Sequence, residues 1–492
     1  MRPMLSIDFG NTYTKVALRP TVESPGVLLT DPSLKWDDQL NACVPTLAAC
    51  HEHGGKAEWH YGTDVMRFRE NTPGLTVYRN WKPRFFTATP IGSTVSTRPA
   101  PVLARGTLDV PPGLTAEAWA TIQADLPPDR VDSLWVKLHG QDGAAVTAQT
   151  ESVEETDLDH KNIGLGFFRW LREFFDPVCR KHMNVPASEI PVRVSLPSFG
   201  CVARAEELLK EILSEAGWTL DDRVPTLPEP LSNAIGTFTE GINAVHRSPP
   251  APHYGQMFQH TGLLSRMREA ILADGPKTAW VLIVDVGGYT ADFAMVGLDL
   301  EDIDARIDGR IDGRIDGKPR LAHHSEAIGV TDLDRRVRDL LSATKQKAMD
   351  EIITDPDQQR LESFHKNCFG HLGRHALRRV VIGESAKEKR VIREALAQFA
   401  EDIADDAEGF LNTHQYDRID DLILTGGGTM IPVVREVLCK RLNHYGVRKA
   451  HFHLLDGEKL PTSISSHPLN STFVRGATAI GGSSVYFDFA GV

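Results

Sequence analysis

The sequence is short of the features that mark several whole classes of protein. No apolar run comes near the roughly 20 residues a membrane-spanning helix requires, and the longest strand-like one, 279–284, suits a buried strand. Six cysteines are spread over 492 residues with no C-x-x-C pair, which excludes a disulfide scaffold and reads as reduced thiols. Cys43, Cys50, His51 and His53 cluster, but their spacing fits no standard zinc pattern. There is no basic stripe: 66 acidic against 54 basic side chains leave a net charge of −12, so a nucleic-acid partner is not expected. No G-x-x-x-x-G-K-[ST] loop occurs, and no G-x-G-x-x-G follows the first strand, which argues against a Walker ATPase and a Rossmann dinucleotide site. The chain runs from residue 4 straight into a strand-like Met4-Leu-Ser-Ile-Asp, so the expectation is a cytoplasmic protein without a leader or a membrane partner.

What remains is the composition of a multidomain globular chain, with 41% hydrophobic and 24% charged residues. Strand-like segments alternate with helical ones, which predicts an α/β fold. Strands are predicted over 4–18 (two, around a Gly-Asn turn), 192–196, 281–285, 292–296 and 422–424. Helices are predicted over 163–182, with Phe167, Leu171, Phe174 and Val178 facing the core, and over 202–216, 231–242, 331–343, 391–411 and 433–443. A Pro-rich stretch at about 83–135 reads as an insertion, and 243–275, with its HRSPPAP run, as a linker. Arg306-Ile-Asp-Gly is repeated three times to Gly317. Its Asp-Gly turns and alternating charges suit a solvated hairpin tip better than a calcium site.

Three short elements carry chemistry. The first is Asp8-Phe-Gly10-Asn11-Thr12-Tyr13-Thr14, the second Asp285-Val-Gly287-Gly288-Tyr289-Thr290-Ala-Asp292. Each puts a carboxylate at a strand end, then glycines whose bare N–H groups can approach phosphate oxygens, then a hydroxyl side chain. One such turn is commonplace; two with the same Asp/Gly/Thr order suggest a clamp on a triphosphate, with the carboxylates holding Mg²⁺ through its waters. The third is Leu422-Ile-Leu-Thr-Gly426-Gly427-Gly428-Thr-Met-Ile-Pro432, a strand-to-helix turn against which a flat base or ribose can pack.

Together these elements resemble the actin, sugar-kinase and seventy-kilodalton heat-shock ATPase superfamily, and within it the heat-shock (DnaK-type) nucleotide-binding domain. Further stretches share the likeness: Val194-Ser-Leu-Pro197-Ser-Phe followed by Arg204 and a helix to Ala216-Gly217; Glu229-Pro230-Leu-Ser-Asn-Ala234-Ile235-Gly236; Ala327-Ile-Gly-Val-Thr-Asp-Leu-Asp334; Glu384-Ser-Ala386-Lys387; and Phe473-Val-Arg-Gly476-Ala-Thr-Ala-Ile-Gly481. The order holds from residue 4 to Gly481. The resemblance implies two actin-like lobes, each with a mixed five-stranded sheet, around a cleft for ATP or ADP with Mg²⁺. The first lobe would comprise 1–242 and 466–492, the second 276–465. Asp8 and Asp285 would hold the metal's waters, with Asp292 further out. Gly10, Asn11, Thr12 and Tyr13 would line one phosphate turn, and Gly287, Gly288, Tyr289 and Thr290 the other. Glu229 would orient the attacking water, and Lys82 or Lys137 would reach the γ-phosphate, Lys82 being preferred. Glu384 and Lys387 would flank the ribose, with Gly426 and Gly427 against the adenosine.

The departures shape the expected function. Tyr289 stands at a glycine position, Met430 where an arginine often stacks on adenine, and Glu388 where a basic residue is usual. The interval from Glu384 to Gly426 is short for the chaperones, and no peptide-binding domain is expected after Gly481. The expectation is therefore a heat-shock-like ATP-binding protein that hydrolyses slowly and regulates an unidentified protein partner by lobe closure, without a peptide clamp. The alternatives are an actin-like filament ATPase, a nucleotide-binding pseudo-ATPase and a small-molecule kinase of the same superfamily.

Overall fold

A computed structural model describes residues 3–21, 24, 26–29, 42–68, 72–85, 160–198, 202–244, 278–299, 314–315, 318–370, 380–452, 465–468 and 471–484. The chain clusters into a large unit, Met1–Ile91 with Asp159–Val492, and a small one, Gly92–Leu158; all described residues belong to the first. Lys137, most of the Pro-rich insertion, nearly all of the 243–275 linker and the RIDG repeats before Arg314 lie outside the described residues. Only the last repeat is seen in part, as paired strands β13 (Arg314–Ile315) and β14 (Lys318–Pro319). No helix among the described residues is long and apolar enough to cross a membrane.

Two mixed sheets organise the large unit. In the first, β1 (Met4–Phe9) forms an antiparallel hairpin with β2 (Tyr13–Arg19), and β8 (Pro191–Leu196) lies parallel on the other side of β1. The two-residue strands β3 (Val27–Leu28) and β4 (Val44–Pro45) join β2. Strands β9 (Thr219–Leu220) and β10 (Thr226–Pro228) run parallel to β8. The second sheet repeats the arrangement: β11 (Thr278–Val286) is antiparallel to β12 (Ala291–Asp299) and parallel to β16 (Asp421–Thr425). It is completed by β15 (Leu321–Glu326), β17 (Lys449–Phe452) and β18 (Ser465–Pro468). The sheets thus have seven and six strands rather than the five expected of each. The excess comes from short pairing segments whose two to four residues carry no readable alternation. Strands β5 (Ala48–His53), β6 (Lys56–Tyr61) and β7 (Leu75–Tyr78) form a separate small sheet that the sequence pattern did not disclose.

Alternation along the central strands decides what packs where. In β1, Leu5, Ile7 and Phe9 are buried on one face, where Phe9 meets Trp81 at a tilt, ring centroids 5.2 Å apart, and Phe168 edge-on at 5.1 Å. Ser6 and Asp8 face the other way. In β11, Leu282, Val284 and Val286 pack under the helices Val330–Leu340, Ala386–Thr413 and Pro432–Leu442. Val281 and Ile283 meet Ala234 and Phe238 of the helix Glu229–Ala244. Each such side chain contributes roughly 1.5–3 kcal/mol on burial.

The helix His160–Met183 buries Phe167, Phe168, Leu171, Phe175 and Cys179. The expected face through Phe174 and Val178 is rotated by one position, and Phe174 instead stacks half-buried on Trp170 at 5.0 Å. The helices Glu229–Ala244 and Ser471–Gly482 cross between the sheets at Gly236 and Gly481. A Cβ on either glycine would overlap the backbone carbonyl of Ala477 or Ser232.

Candidate functional site

One cleft gathers most of the residues singled out in the sequence. It encloses about 820 Å³, its mouth included, and is lined by Asp8, Gly10, Asn11, Thr12, Tyr13, Lys82, Glu229, Asp285, Gly287, Gly288, Tyr289, Thr290, Asp292, Gly426 and Gly427. Asp8 and Asp285 reach it because each sits near the end of the central strand of its sheet, just before the glycine turn. Glu384 and Lys387 are not among its lining residues; they lie exposed at the start of the helix Ala386–Thr413. There the Glu388 carboxylate accepts from Gly383 N at 2.9 Å and Glu384 N at 3.2 Å, which caps the turn.

The two turns are held differently. In the first, Thr46 N donates to the Thr12 carbonyl at 2.9 Å and Thr46 Oγ1 to the Gly10 carbonyl at 2.8 Å. The second is clamped by the start of the helix Val330–Leu340: Val330 N donates to Gly287 O, and Thr331 N and Oγ1 donate to Gly288 O at 2.9 and 2.6 Å. That approach requires Gly329, where a Cβ would sit 2.6 Å from the Gly288 and Tyr289 backbone. Tyr289 keeps a negative φ, so the turn needs no glycine there. The turns also meet directly across the cleft. Asn11 Nδ2 donates to Thr331 Oγ1 at 3.1 Å, and a Cβ on Gly288 would lie 2.6 Å from Thr12 Oγ1.

The electrostatics are those of crowded, buried carboxylates. Burial first, and then the neighbouring Asp8 charge, raise Asp285 to about 6, against Lys15 and hydrogen bonds from Thr478 and Asn233. Burial raises Asp292 well above the usual range, helped by Glu229 and Asp285, although Thr290 Oγ1 donates to it at 2.9 Å and Ser325 Oγ also donates to it. Glu229 is raised by burial and by Asp8 and Asp285, while Lys82, whose Nζ lies 2.6 Å from Glu229 Oε1, pulls the other way. Lys82 arrives because Asn80, at φ 54°, turns the chain and inserts Trp81 and Lys82 behind it; its Nζ sits 5.7 Å from the Phe9 ring.

Several lining residues had not been singled out. Lys15 donates to Asp8 Oδ2 at 2.8 Å. Its place was available from the hairpin register, because Asp8 and Lys15 are directly paired across the turn. Glu362 and His365 enter from the helix Gln358–Phe369, which carries no clear periodicity; Glu362 accepts from Tyr13 Oη, and His365 pairs with Asp334 at 2.9 Å. Cys43, Val330, Gly428, Arg475 and Thr478 complete the lining. Met430 is fully buried with Arg475 Nε 3.4 Å from its sulfur, so it faces the core rather than a ligand.

The chain matches no protein-family model, and no curated protein matches it. The functional reading therefore rests on the cleft itself. Its described lining has five carboxylates (Asp8, Glu229, Asp285, Asp292, Glu362) against three lysine or arginine side chains (Lys15, Lys82, Arg475). To the extent these carboxylates are ionised, a polyanion entering the cleft is favoured by a cation that offsets their charge. Among the described residues no group of three His, Cys, Asp or Glu side chains is placed to hold a metal ion between them. Two carboxylates facing glycine turns suit a hard, hydrated cation, and Asn11 Oδ1, buried without a partner, is an acceptor that a water on such a cation would satisfy. The donor set thus fits Mg²⁺ held through water.

Proposed function

We propose that the protein is a Mg²⁺-dependent ATP-binding protein with slow hydrolytic activity, its two sheets being two actin-like lobes of the heat-shock type that close on the nucleotide. One observation carries this: two hairpins of the same Asp/Gly/Thr order, at equivalent places in two similarly connected sheets, converge on one cleft. Glycine-rich turns suit phosphates because backbone N–H groups there can come close to the oxygens. The third turn, entered at Gly426 with φ 80°, offers a flat backbone surface to the nucleoside. Asp8 and Asp285 would hold the magnesium ion, which when bound offsets phosphate charge and screens the carboxylates from it.

In this reading Glu229 takes or orients the proton of the attacking water, and Lys82 fixes its carboxylate. The water oxygen bonds to the γ-phosphorus, the bond to the ADP oxygen breaks, and the departing charge is met by turn amides and Lys15. Nucleotide-dependent closure across the Asn11–Thr331 contact would expose or hide a surface for a protein partner.

Phosphate release from Mg·ATP by wild type and Glu229→Gln tests the catalytic part. The variant should keep its affinity for Mg·ATP and lose about 100-fold in turnover, the scale of one general base. Equal rates in the two proteins would remove Glu229 from the chemistry. No release by wild type, with nucleotide bound, would make the protein a nucleotide switch without hydrolysis.

A further inference from the structure

The carboxylate of Asp285 is anchored from outside the sheet that carries it. Asn233, on the helix Glu229–Ala244 and 1% exposed, donates its amide to Asp285 Oδ2. The same nitrogen reaches Thr478 Oγ1 at 3.1 Å, and Thr478 Oγ1 donates to Asp285 Oδ2 at 3.3 Å. The Asn233 side-chain Oδ1 accepts from Thr425 Oγ1 at 3.2 Å, at the end of β16 where the Gly426 turn begins. One amide thus ties together Asp285, the third turn and the helix Ser471–Gly482. Both donors converge on Oδ2, while Oδ1 lies beside Gly426.

Asn233 also stands one helical turn after Glu229, on the same face of the same helix. About 6 Å of rigid helix therefore separates the residue that orients the attacking water from the one that grips the metal carboxylate.

We infer that Asn233 is a positioning residue for the magnesium ion: it fixes the rotamer of Asp285 so that one carboxylate oxygen is spent on the protein and the other stays directed at the ion's hydration shell. The inference rests on the nucleotide reading above. Chemistry requires an amide here: a hydroxyl cannot reach three partners at once, an apolar side chain leaves a buried carboxylate oxygen without its donor, and an aspartate adds a repelling charge.

The test is calorimetric titration of the full chain with ATP in excess Mg²⁺ and with ATP in EDTA, for wild type and Asn233→Leu. Removal of an outer-shell partner is expected to weaken Mg·ATP binding by about 10- to 100-fold while metal-free ATP affinity changes less than about twofold. A parallel loss in both titrations would show a merely structural residue, and an unchanged Mg²⁺ increment would show no role; either overturns the inference. Should Asn233→Leu fail to fold, Asn233→Ser, smaller and uncharged, is read by the same two titrations. Absence of ATP binding in wild type is the distinct result that removes the nucleotide reading and this inference with it.

Discussion

Asp285→Asn is expected to make the ligand-free protein more stable while destroying its affinity for Mg·ATP. The carboxyl is half-buried in the cleft wall, and desolvation with the neighbouring Asp8 charge moves it from its ordinary 3.8 to about 6, so the folded state holds this proton more tightly than the unfolded chain does. Between those two pH values the native state binds the extra proton, and stability falls as pH rises. Above about 6 the penalty is fully expressed, on the order of 3 kcal/mol for a shift of this size. An asparagine keeps the shape and the partners of the side chain and carries no such penalty. The melting temperature of Asp285→Asn at pH 7.5 should exceed that of wild type by a few degrees. Its decline from pH 5 to 7.5 should be shallower, though not flat, because Asp292 and Glu229 are also raised by burial. Binding moves the opposite way. With one of the two facing carboxylates gone, Mg·ATP affinity should drop on the order of 100-fold or more. A variant less stable than wild type at neutral pH would mean that the carboxylate is structural and the cleft is not built to receive a cation.

Gly481→Val is expected to prevent the two crossing helices from meeting. A Cβ at Gly481 would overlap the Ser232 carbonyl and crowd Gly236 N, and a Cβ at Gly236 would lie 2.9 Å from Gly481 N besides overlapping Ala477 O. These are backbone atoms on both sides, so no side-chain rotation relieves the overlap, and the helices must separate. Such overpacking costs about 3 kcal/mol or more. The same helices carry Glu229, Asn233 and Thr478, so partial folding would still misplace the site. A useful control is Gly409→Ala, at an exposed position in the long helix Ala386–Thr413 with open space around it. It should stabilise by about 0.5–1 kcal/mol, the backbone term alone. Thermal melts of the three proteins decide the matter; a Gly481→Val protein that melts with wild type would show that the helices do not pack as described.

The readable parts of this chain are those whose information is local. A strand, a glycine turn and a second strand lie within a dozen residues in both Asp8–Lys15 and Asp285–Asp292, and the alternation of β1 and β11 is visible at once. The residues that fix these turns are remote. Thr331 is 320 positions from the Asn11 it bonds, and Asn233 is 52 from Asp285. Both lie inside stretches that carry the likeness, 229–236 and 327–334, but nothing in those stretches marks the individual residue, because its role arises only when two elements come together. Lys15 is a different case, since counting outward from the turn places it opposite Asp8. The helix Gln358–Phe369 brings Glu362 and His365 to the cleft with polar residues on much of its surface and no clean apolar stripe to announce it. Glu384 and Lys387 resemble a nucleoside-contacting motif, yet short-range capping by Glu388 governs the turn beside them. The face of His160–Met183 was misplaced because Phe167, Phe168, Phe174 and Phe175 offer two adjacent apolar stripes, and packing against Phe9 selects one.

The most direct measurement is a calorimetric titration of ATP into the wild-type protein with Mg²⁺ and again with EDTA, on the same folded sample. Saturable binding near one nucleotide per chain, strengthened by Mg²⁺ and weakened as pH falls through about 6, is the result the carboxylate-flanked glycine turns predict. No binding heat under either condition, from protein whose melting transition is cooperative, would contradict the account and leave the paired turns as structural hairpins.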